Sequence, residues 1–180
     1  MSKIGKKNIT IPKESSVKIE GNNLTISGPK GSKIMSINDK IFSSKLIENE
    51  FKIAPLSKKV DKKTSIMWGT YRSLINNAVI GVSAGHEKIL ELNGVGFRAN
   101  IKGENLNLQI GFSHDVNFKI PKDVKIIVEK MTIITITGVD KELVSKVASD
   151  IKVLKPVEPY KAKGIKERNQ FVLRKEGKKK

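Results

Sequence analysis

The sequence predicts an α+β fold of two duplicated small domains, each an antiparallel sheet covered by a helix, plus an extended basic C-terminal tail. Three observations predict it: short segments recur along the chain, alternating apolar and polar stretches precede stretches of helical periodicity, and basic residues and prolines crowd the C-terminal end. The 180 residues, 38% of them hydrophobic, are enough to bury a core in two small domains.

An internal repeat supports the duplication. Three segments recur: residues 11–13 as 120–122, residues 17–20 loosely as 126–129, and residues 24–28 as 134–138. The first two recur at an offset of 109 residues and the third at 110, so the later copy contains one inserted residue. Two copies of one structural unit explain this spacing.

A helix is predicted at the end of the first copy. Thr64 or Ser65 is placed to cap its start, and Gly81 and Gly85 are available to end it. Its apolar face is expected to consist of Met67, Tyr71, Leu74, Ala78 and Val82.

A second helix is predicted at the end of the second copy. Asp140 can cap its start, and Pro156 prevents its continuation. Its apolar face is expected to consist of Leu143, Val144, Val147, Ala148, Ile151 and Leu154. The domains are therefore expected at residues 1–82 and 83–154, followed by a basic tail at 155–180.

The net charge limits the partners. Thirty-five Lys and Arg against eighteen Asp and Glu give +17, which favours a polyanion, either nucleic acid or an anionic membrane surface. The chain has no run of about 18 apolar residues and no apolar N-terminal stretch, so a membrane-spanning or secreted protein is not expected. It has no cysteine and only two histidines, which argues against disulfides and against a metal site.

The positive charge is concentrated at the two ends of the chain. Residues 1–81 carry +9, residues 82–151 are neutral and residues 152–180 carry +8. A charge run can simply be a solvated face. In residues 155–166, however, lysines alternate with prolines and Tyr160, which predicts an extended segment whose ammonium groups follow a phosphate backbone. The Tyr160 ring would either stack on the nucleic acid or pack on the second domain.

Three motifs look catalytic, and a different interpretation is favoured for each. Residues 94–99 fit a dinucleotide-binding glycine pattern, but a turn and alternating residues follow where that motif needs a helix, so a hairpin is predicted. Residues 28–32 lack the spacing of a phosphate loop and predict a turn between strands. Residues 113–115 combine Ser, His and Asp in a geometry unsuited to a triad and favour a turn that contacts RNA. No enzyme activity, cofactor or small-molecule substrate is expected.

Several motifs together carry a family resemblance. They are residues 2–12, the turn at 27–31, the helix segment at 68–77, the strand at 94–99, residues 111–114, and residues 158–165 and 174–180 of the tail. These motifs cover the chain from end to end. They resemble bacterial large-subunit ribosomal protein six, of the universal uL6 family.

The resemblance implies a structural constituent of the large ribosomal subunit. It implies binding to domain VI of the large-subunit ribosomal RNA, including the sarcin-ricin loop region near the elongation-factor site, with neighbouring large-subunit proteins as further partners. The residues expected to bind RNA are Lys3, Lys6, Lys7, Lys30, Arg98, His114, Lys155, Tyr160, Lys161, Lys163, Lys166, Arg168, Arg174 and Lys175. The sequence departs from the family pattern at Ala162, where glycine is usual, and at residues 166–170, where an arginine followed by an aromatic residue is expected.

Two alternatives remain open at this point: a free RNA chaperone or regulatory RNA binder, and an amphipathic membrane-surface protein. The membrane is the least favoured partner, because neither predicted helix combines a cationic face with a Trp- or Phe-rich apolar face. Only four of the 35 basic residues are arginines, a bias typical of AT-rich coding sequences. The expected location is a ribosome in a bacterial cytoplasm or in an organelle.

Overall fold

The computed structural model describes residues 2–47, 49–57 and 60–177. Lys178, Lys179 and Lys180 of the expected tail lie outside these residues. The chain divides into two compact units, the first reaching Gly85 and including Val139–Lys141, the second formed by the remaining residues from His86 onward. The predicted α+β class is confirmed.

The first unit contains two three-stranded antiparallel sheets, where a single sheet was expected. Its strands are β1 (Ile9–Thr10), β2 (Ser16–Glu20), β3 (Asn23–Gly28), β4 (Gly31–Ser36), β5 (Phe42–Ile47) and β6 (Glu50–Pro55). One sheet has the order β2-β3-β4 and the other β1-β6-β5. The second sheet arises because buried Phe42, Phe51 and Ile53 give residues 42–55 an apolar side of their own.

The helix of the first unit, α1 (Lys62–Ser83), begins earlier than predicted. Asp61 occupies the N-cap position, and its carbonyl oxygen accepts a hydrogen bond from the N–H of Ser65 at 2.9 Å. At the other end Gly85 adopts a φ of 85° and donates its N–H to the carbonyl of Ile80 at 3.1 Å. Gly85 therefore ends the helix as predicted, since glycine is the residue that enters this conformation without strain.

The buried face of α1 is rotated relative to the prediction. Ile75 and Val79 are fully or almost fully buried, whereas Leu74 is only partly buried. The rotation follows from Trp68, whose indole N–H donates to the carbonyl of Ile53 at 2.8 Å and so turns this side of the helix toward β6. Ala78 and Val82 are buried as expected.

The second unit contains a four-stranded and a three-stranded antiparallel sheet. Its elements are β7 (His86–Asn93), β8 (Arg98–Lys102), β9 (Asn105–Gln109), β10 (Val116–Lys119), β11 (Val124–Glu129), β12 (Ile133–Gly138), α2 (Lys141–Leu154) and β13 (Gly164–Glu167). The sheet orders are β11-β12-β7-β13 and β10-β9-β8. The predicted face of α2 is confirmed, since Val144, Val147, Ala148 and Ile151 are buried in the core of this unit.

The sequence repeat corresponds to one hairpin in each unit. Val17 pairs with Ile26 across β2 and β3, and their counterparts Ile126 and Ile136 pair across β11 and β12. The turn has two residues in the first hairpin and three in the second. The inserted residue thus lies in the turn, where it leaves the strand register unchanged.

The glycine motif at residues 94–99 is not a strand throughout, as the sequence had suggested. Residues 94–97 form a loop in which Gly96 has a φ of 80°, and β8 begins at Arg98. The hairpin predicted after it is confirmed by the pairing of β8 with β9. The turn predicted at residues 28–32 is also confirmed, since β3 and β4 pair around Pro29 and Lys30.

Part of the expected extended tail belongs to a sheet. Strand β13 pairs with β7, and Ile165 lies fully buried opposite Leu92. The sequence did not predict this strand because it is short and because the neighbouring lysines, prolines and glycine are typical of an extended tail. Burial of Ile165 supplies the apolar contact that fixes this segment on the edge of the sheet.

Candidate nucleic-acid interface

Residues 155–165, called here the tail loop, fold back on themselves. The N–H of Ile165 donates to the carbonyl of Lys155 at 2.9 Å, and the N–H of Glu158 donates to the carbonyl of Lys163 at 2.8 Å. These two bonds close the segment into a loop, in contrast to the extended form that its prolines predicted. Residues 159–162, which the inner of the two bonds encloses, form the tip of the loop.

Two positions in the tail loop need a left-handed backbone. Gly164 has a φ of 140°, and a Cβ there would lie 2.6 Å from the carbonyl oxygen of Pro156. Ala162 has a φ of 55° and donates its N–H to the carbonyl of Glu158 at 3.0 Å. A Cβ is strained in that region, so a glycine would adopt this backbone more easily than Ala162 does.

The tip of the tail loop gathers cations and a ring. Tyr160 is 54% exposed. The N–H of Lys175 donates to the carbonyl of Pro159 at 3.0 Å, which brings residues 174 and 175 to the tip. Four exposed basic residues, called here the tip cations, result, and none is ion-paired with any described residue: Lys161, Lys163, Arg174 and Lys175.

The start of the tail loop joins an aromatic pair. The ammonium of Lys155 lies 4.4 Å from the centroid of the Phe112 ring, and the His114 ring stacks on the same ring at a centroid distance of 6.4 Å. A cation over an aromatic face is attracted by the ring quadrupole. The contact ties the predicted residues Lys155 and His114 together and leaves about half of Phe112 exposed.

Two predicted RNA-binding cations are paired with a carboxylate. Lys166 Nζ lies 3.0 Å from Glu91 Oε2, and Arg168 Nε lies 3.8 Å from Glu91 Oε1. Glu91 lies on β7, so these pairs link β13 and the residue after it to the sheet. Glu91 balances one of their two charges within the protein.

A second carboxylate, that of Glu167, holds β13 from the opposite face of the sheet. Glu167 accepts from Lys88 of β7 at 2.8 Å and from Lys152 of α2 at 3.1 Å. These hydrogen bonds, that of Lys88 first, hold the pKa of the Glu167 carboxyl below its usual value of 4.5. The ionised carboxylate therefore links strand, sheet and helix.

The remaining predicted residues belong to other elements of the chain. Arg98 is exposed on β8, and Lys30 is exposed in the β3–β4 turn of the first unit. Lys3, Lys6 and Lys7 are exposed in the N-terminal segment of the same unit. That segment is held by Arg72 of α1, whose guanidinium donates to the carbonyls of Lys7 and Asn8 at 3.3 Å each.

Sequence reasoning missed the apolar part of this region. Phe171 and Leu173 are 86% and 72% exposed and line a groove with Val153 of α2. The sequence does carry a signal for this groove, because Phe171 and Leu173 are large apolar residues that interrupt a basic segment. The contact of Phe112 with Lys155 had no such signal, since it depends on the folded chain.

Neither helix in residues 2–47, 49–57 and 60–177 is long and apolar enough to cross a membrane. The described part of the chain also holds no group of three or more His, Asp or Glu side chains placed to bind a metal ion.

Comparison with known proteins identifies the family. The model of the family described as ribosomal protein L6 matches residues 11–85 and 93–168. The chain belongs to this family. It is similar over all 180 residues to the large ribosomal subunit protein uL6 of Beijerinckia indica at 44% identity, of Sphingopyxis alaskensis at 43% and of Methylocella silvestris at 42%, each alignment covering 100% of both chains.

Membership makes the chain a large-subunit ribosomal protein with a structural role in translation. The family model matches the chain as two segments, in agreement with the duplication predicted from the repeat. The second segment extends to residue 168 and so includes the whole tail loop and β13.

Proposed function

We propose that this uL6-family protein binds large-subunit ribosomal RNA through the tip cations, with Tyr160 stacking on a base or sugar. The observation that carries the proposal is the bond from Lys175 to Pro159, which gathers four cations without acidic partners around one exposed ring. A cluster of unpaired ammonium and guanidinium groups suits phosphates, and an exposed ring suits stacking.

The RNA segment proposed is domain VI of the large-subunit RNA, in the sarcin-ricin loop region near the elongation-factor site. Lys155 and His114 flank the tip and are proposed to contact the same RNA, while Arg98 and the lysines of the first unit make separate contacts. Neighbouring large-subunit proteins are the other proposed partners, with no membrane and no small-molecule substrate. The protein would act in the cytoplasmic ribosome as a structural component, without catalysis or a cofactor.

Binding of the full chain to RNA fragments tests this proposal. We expect a fragment that contains the sarcin-ricin region to bind at least about tenfold more tightly than other large-subunit fragments of equal length at the same salt concentration. Replacing all four tip cations with alanine should lower the affinity for that fragment and flatten its dependence on salt. Equal affinity for all fragments would instead indicate a general RNA chaperone.

A further inference from the structure

The outer side of the β8-β9-β10 sheet consists of polar side chains. Ala99, Leu106 and Leu108 point into the core of the second unit, where each is fully buried. Because side chains alternate along a strand, the residues between them point outward. The middle row across the three strands is then formed by Asn100, Asn107 and Asn117, which are paired in register.

The middle asparagine of this row is fixed in place. Asn107 is only 7% exposed, and its amide N–H donates to Oδ1 of Asn117 at 2.9 Å. Asn107 is held between its two neighbours on adjacent strands, so its orientation is set before any ligand arrives. Asn100 is exposed, and its amide group is available to a partner.

Cations border the row on both sides. On one side Lys102 and Lys119 flank Asn105, to which both are paired in register. On the other side Arg98 pairs in register with Gln109, whose amide donates to Asp115 at 3.4 Å. We call this outward side of β8–β10 the amide face. It carries three cations and one carboxylate.

The amide face also differs from the outer side of the β2-β3-β4 sheet in the first unit. On β2-β3-β4, Thr25 lies between Lys18 and Ile34, and Ile34 is 67% exposed. That face has no row of amides and includes a large apolar side chain. The asparagine-rich composition of the chain therefore does not by itself produce an amide face on every sheet.

The chemistry of the amide face suits an RNA helix. It has no apolar side chain to form the dry centre of a protein interface. Amide groups both donate and accept hydrogen bonds, and the 2′-hydroxyls exposed in the wide, shallow minor groove of A-form RNA do the same. Arg98, Lys102 and Lys119 are placed to neutralise the phosphates on either side of such a groove.

We propose that the amide face binds the minor groove of a ribosomal RNA helix, with Asn100 contacting 2′-hydroxyl groups. The inference rests on the proposed function, since it assigns a second contact to the same RNA-binding protein. It differs from the tip cations in what it recognises. The tip cations contact phosphates, which RNA and DNA share, whereas the amide face distinguishes RNA from DNA.

Competition between duplexes tests the amide face. The full chain is titrated with an RNA duplex of about 16 base pairs and with a DNA duplex of the same sequence. Asn100→Ala should weaken RNA binding about fivefold, the value of one neutral hydrogen bond, and leave DNA binding and the salt slope unchanged. Asn23→Ala, an exposed asparagine on β3, is the matched control and should change neither.

A second variant keeps the test decisive. Lys102→Ala should reduce the salt slope for RNA by about 0.9, and Lys18→Ala on the other unit should not. The proposal is overturned if the wild type binds both duplexes equally, or if Asn100→Ala weakens both or neither. Failure of the tip cations would show separately, as an unchanged salt slope when those four residues are replaced.

Discussion

Two groups of cations near the C-terminus differ in their partners. The tip cations Lys161, Lys163, Arg174 and Lys175 have no ion pair with a described residue, whereas Lys166 and Arg168 share Glu91. Each cation of either group adds the same single charge to the net charge of residues 152–180. The whole charge of the first group is available to a polyanion, whereas Glu91 cancels one of the two charges of the second. The comparison teaches that net charge overstates the number of phosphate contacts when a cation also holds a strand in place.

The largest effect is expected where the tip itself is destroyed. Gly164→Ala places a Cβ 2.6 Å from the Pro156 carbonyl in a φ of 140°, and should lower the free energy of unfolding by about 3 kcal/mol. Gly103→Ala is the control, because its φ of 61° is strained but no atom lies within 4 Å, so about 1 kcal/mol is expected. Denaturant unfolding of the full chain measures both. Equal losses would mean that the tail loop is not closed as described.

The next effect distinguishes the contribution of the Tyr160 ring to RNA affinity from that of the tip cations. Tyr160→Ala should cost RNA affinity about 1 to 3 kcal/mol without changing the dependence of affinity on salt, because stacking releases no counterions. Tyr160→Phe should retain the affinity. If Tyr160→Ala instead lowers the unfolding temperature and leaves RNA binding intact, the ring packs on the protein.

A smaller effect is expected when paired cations are released. Glu91→Gln should release one net positive charge at Lys166 and Arg168 and steepen the salt slope of RNA binding by up to about 0.9 units. Stability should fall by less than about 1 kcal/mol, since the pairs are partly exposed. Glu87→Gln on the same strand changes the net charge equally and serves as the control. Identical slopes for the two variants would contradict the distinction between the groups.

The smallest effect is the loss of stability that is expected when the pH is lowered. The pKa of Glu167 is lower in the folded protein than in the unfolded chain, so its pairs stabilise the fold above about pH 4.5 and are lost as the pH falls through the lowered pKa. Glu167→Gln should therefore remove up to about 1 kcal/mol of the stability difference between pH 7 and pH 3, discounted for exposure. Glu176 is an exposed carboxylate in the tail, and Glu176→Gln should leave that stability difference unchanged. If the free energy of unfolding of the wild type and of Glu167→Gln changed with pH in parallel, the pairs of Glu167 would not contribute to stability.

Much of the fold was predictable because it depends on local patterns. The repeat identified both hairpins, and the spacing of apolar residues identified the face of α2. The face of α1 was misjudged by one position, since Leu74 and Ile75 are equally apolar and only the bond of Trp68 to Ile53 decides between them. Such a bond depends on the tertiary fold and leaves no periodic signal.

The candidate site was predictable in composition but not in detail. Charge counting pointed to the C-terminal segment, yet it could not distinguish Lys163 from Lys166. That difference depends on Glu91, which is distant in sequence and is brought to Lys166 by the pairing of β13 with β7. The closed tail loop was missed for a related reason, because its hydrogen bonds join backbone groups and do not depend on side-chain pattern.

The most direct test compares two double variants of equal charge. Lys161→Ala with Arg174→Ala removes one lysine and one arginine from the tip, and Lys166→Ala with Arg168→Ala removes the same two residue types from the pairs with Glu91. The affinity of each full chain for a large-subunit RNA fragment is measured across a salt series. We predict that the first variant flattens the slope of log affinity against log salt by about 1.5 units and that the second flattens it by less than about half as much. Equal flattening by both variants would contradict the assignment of RNA binding to the unpaired cations.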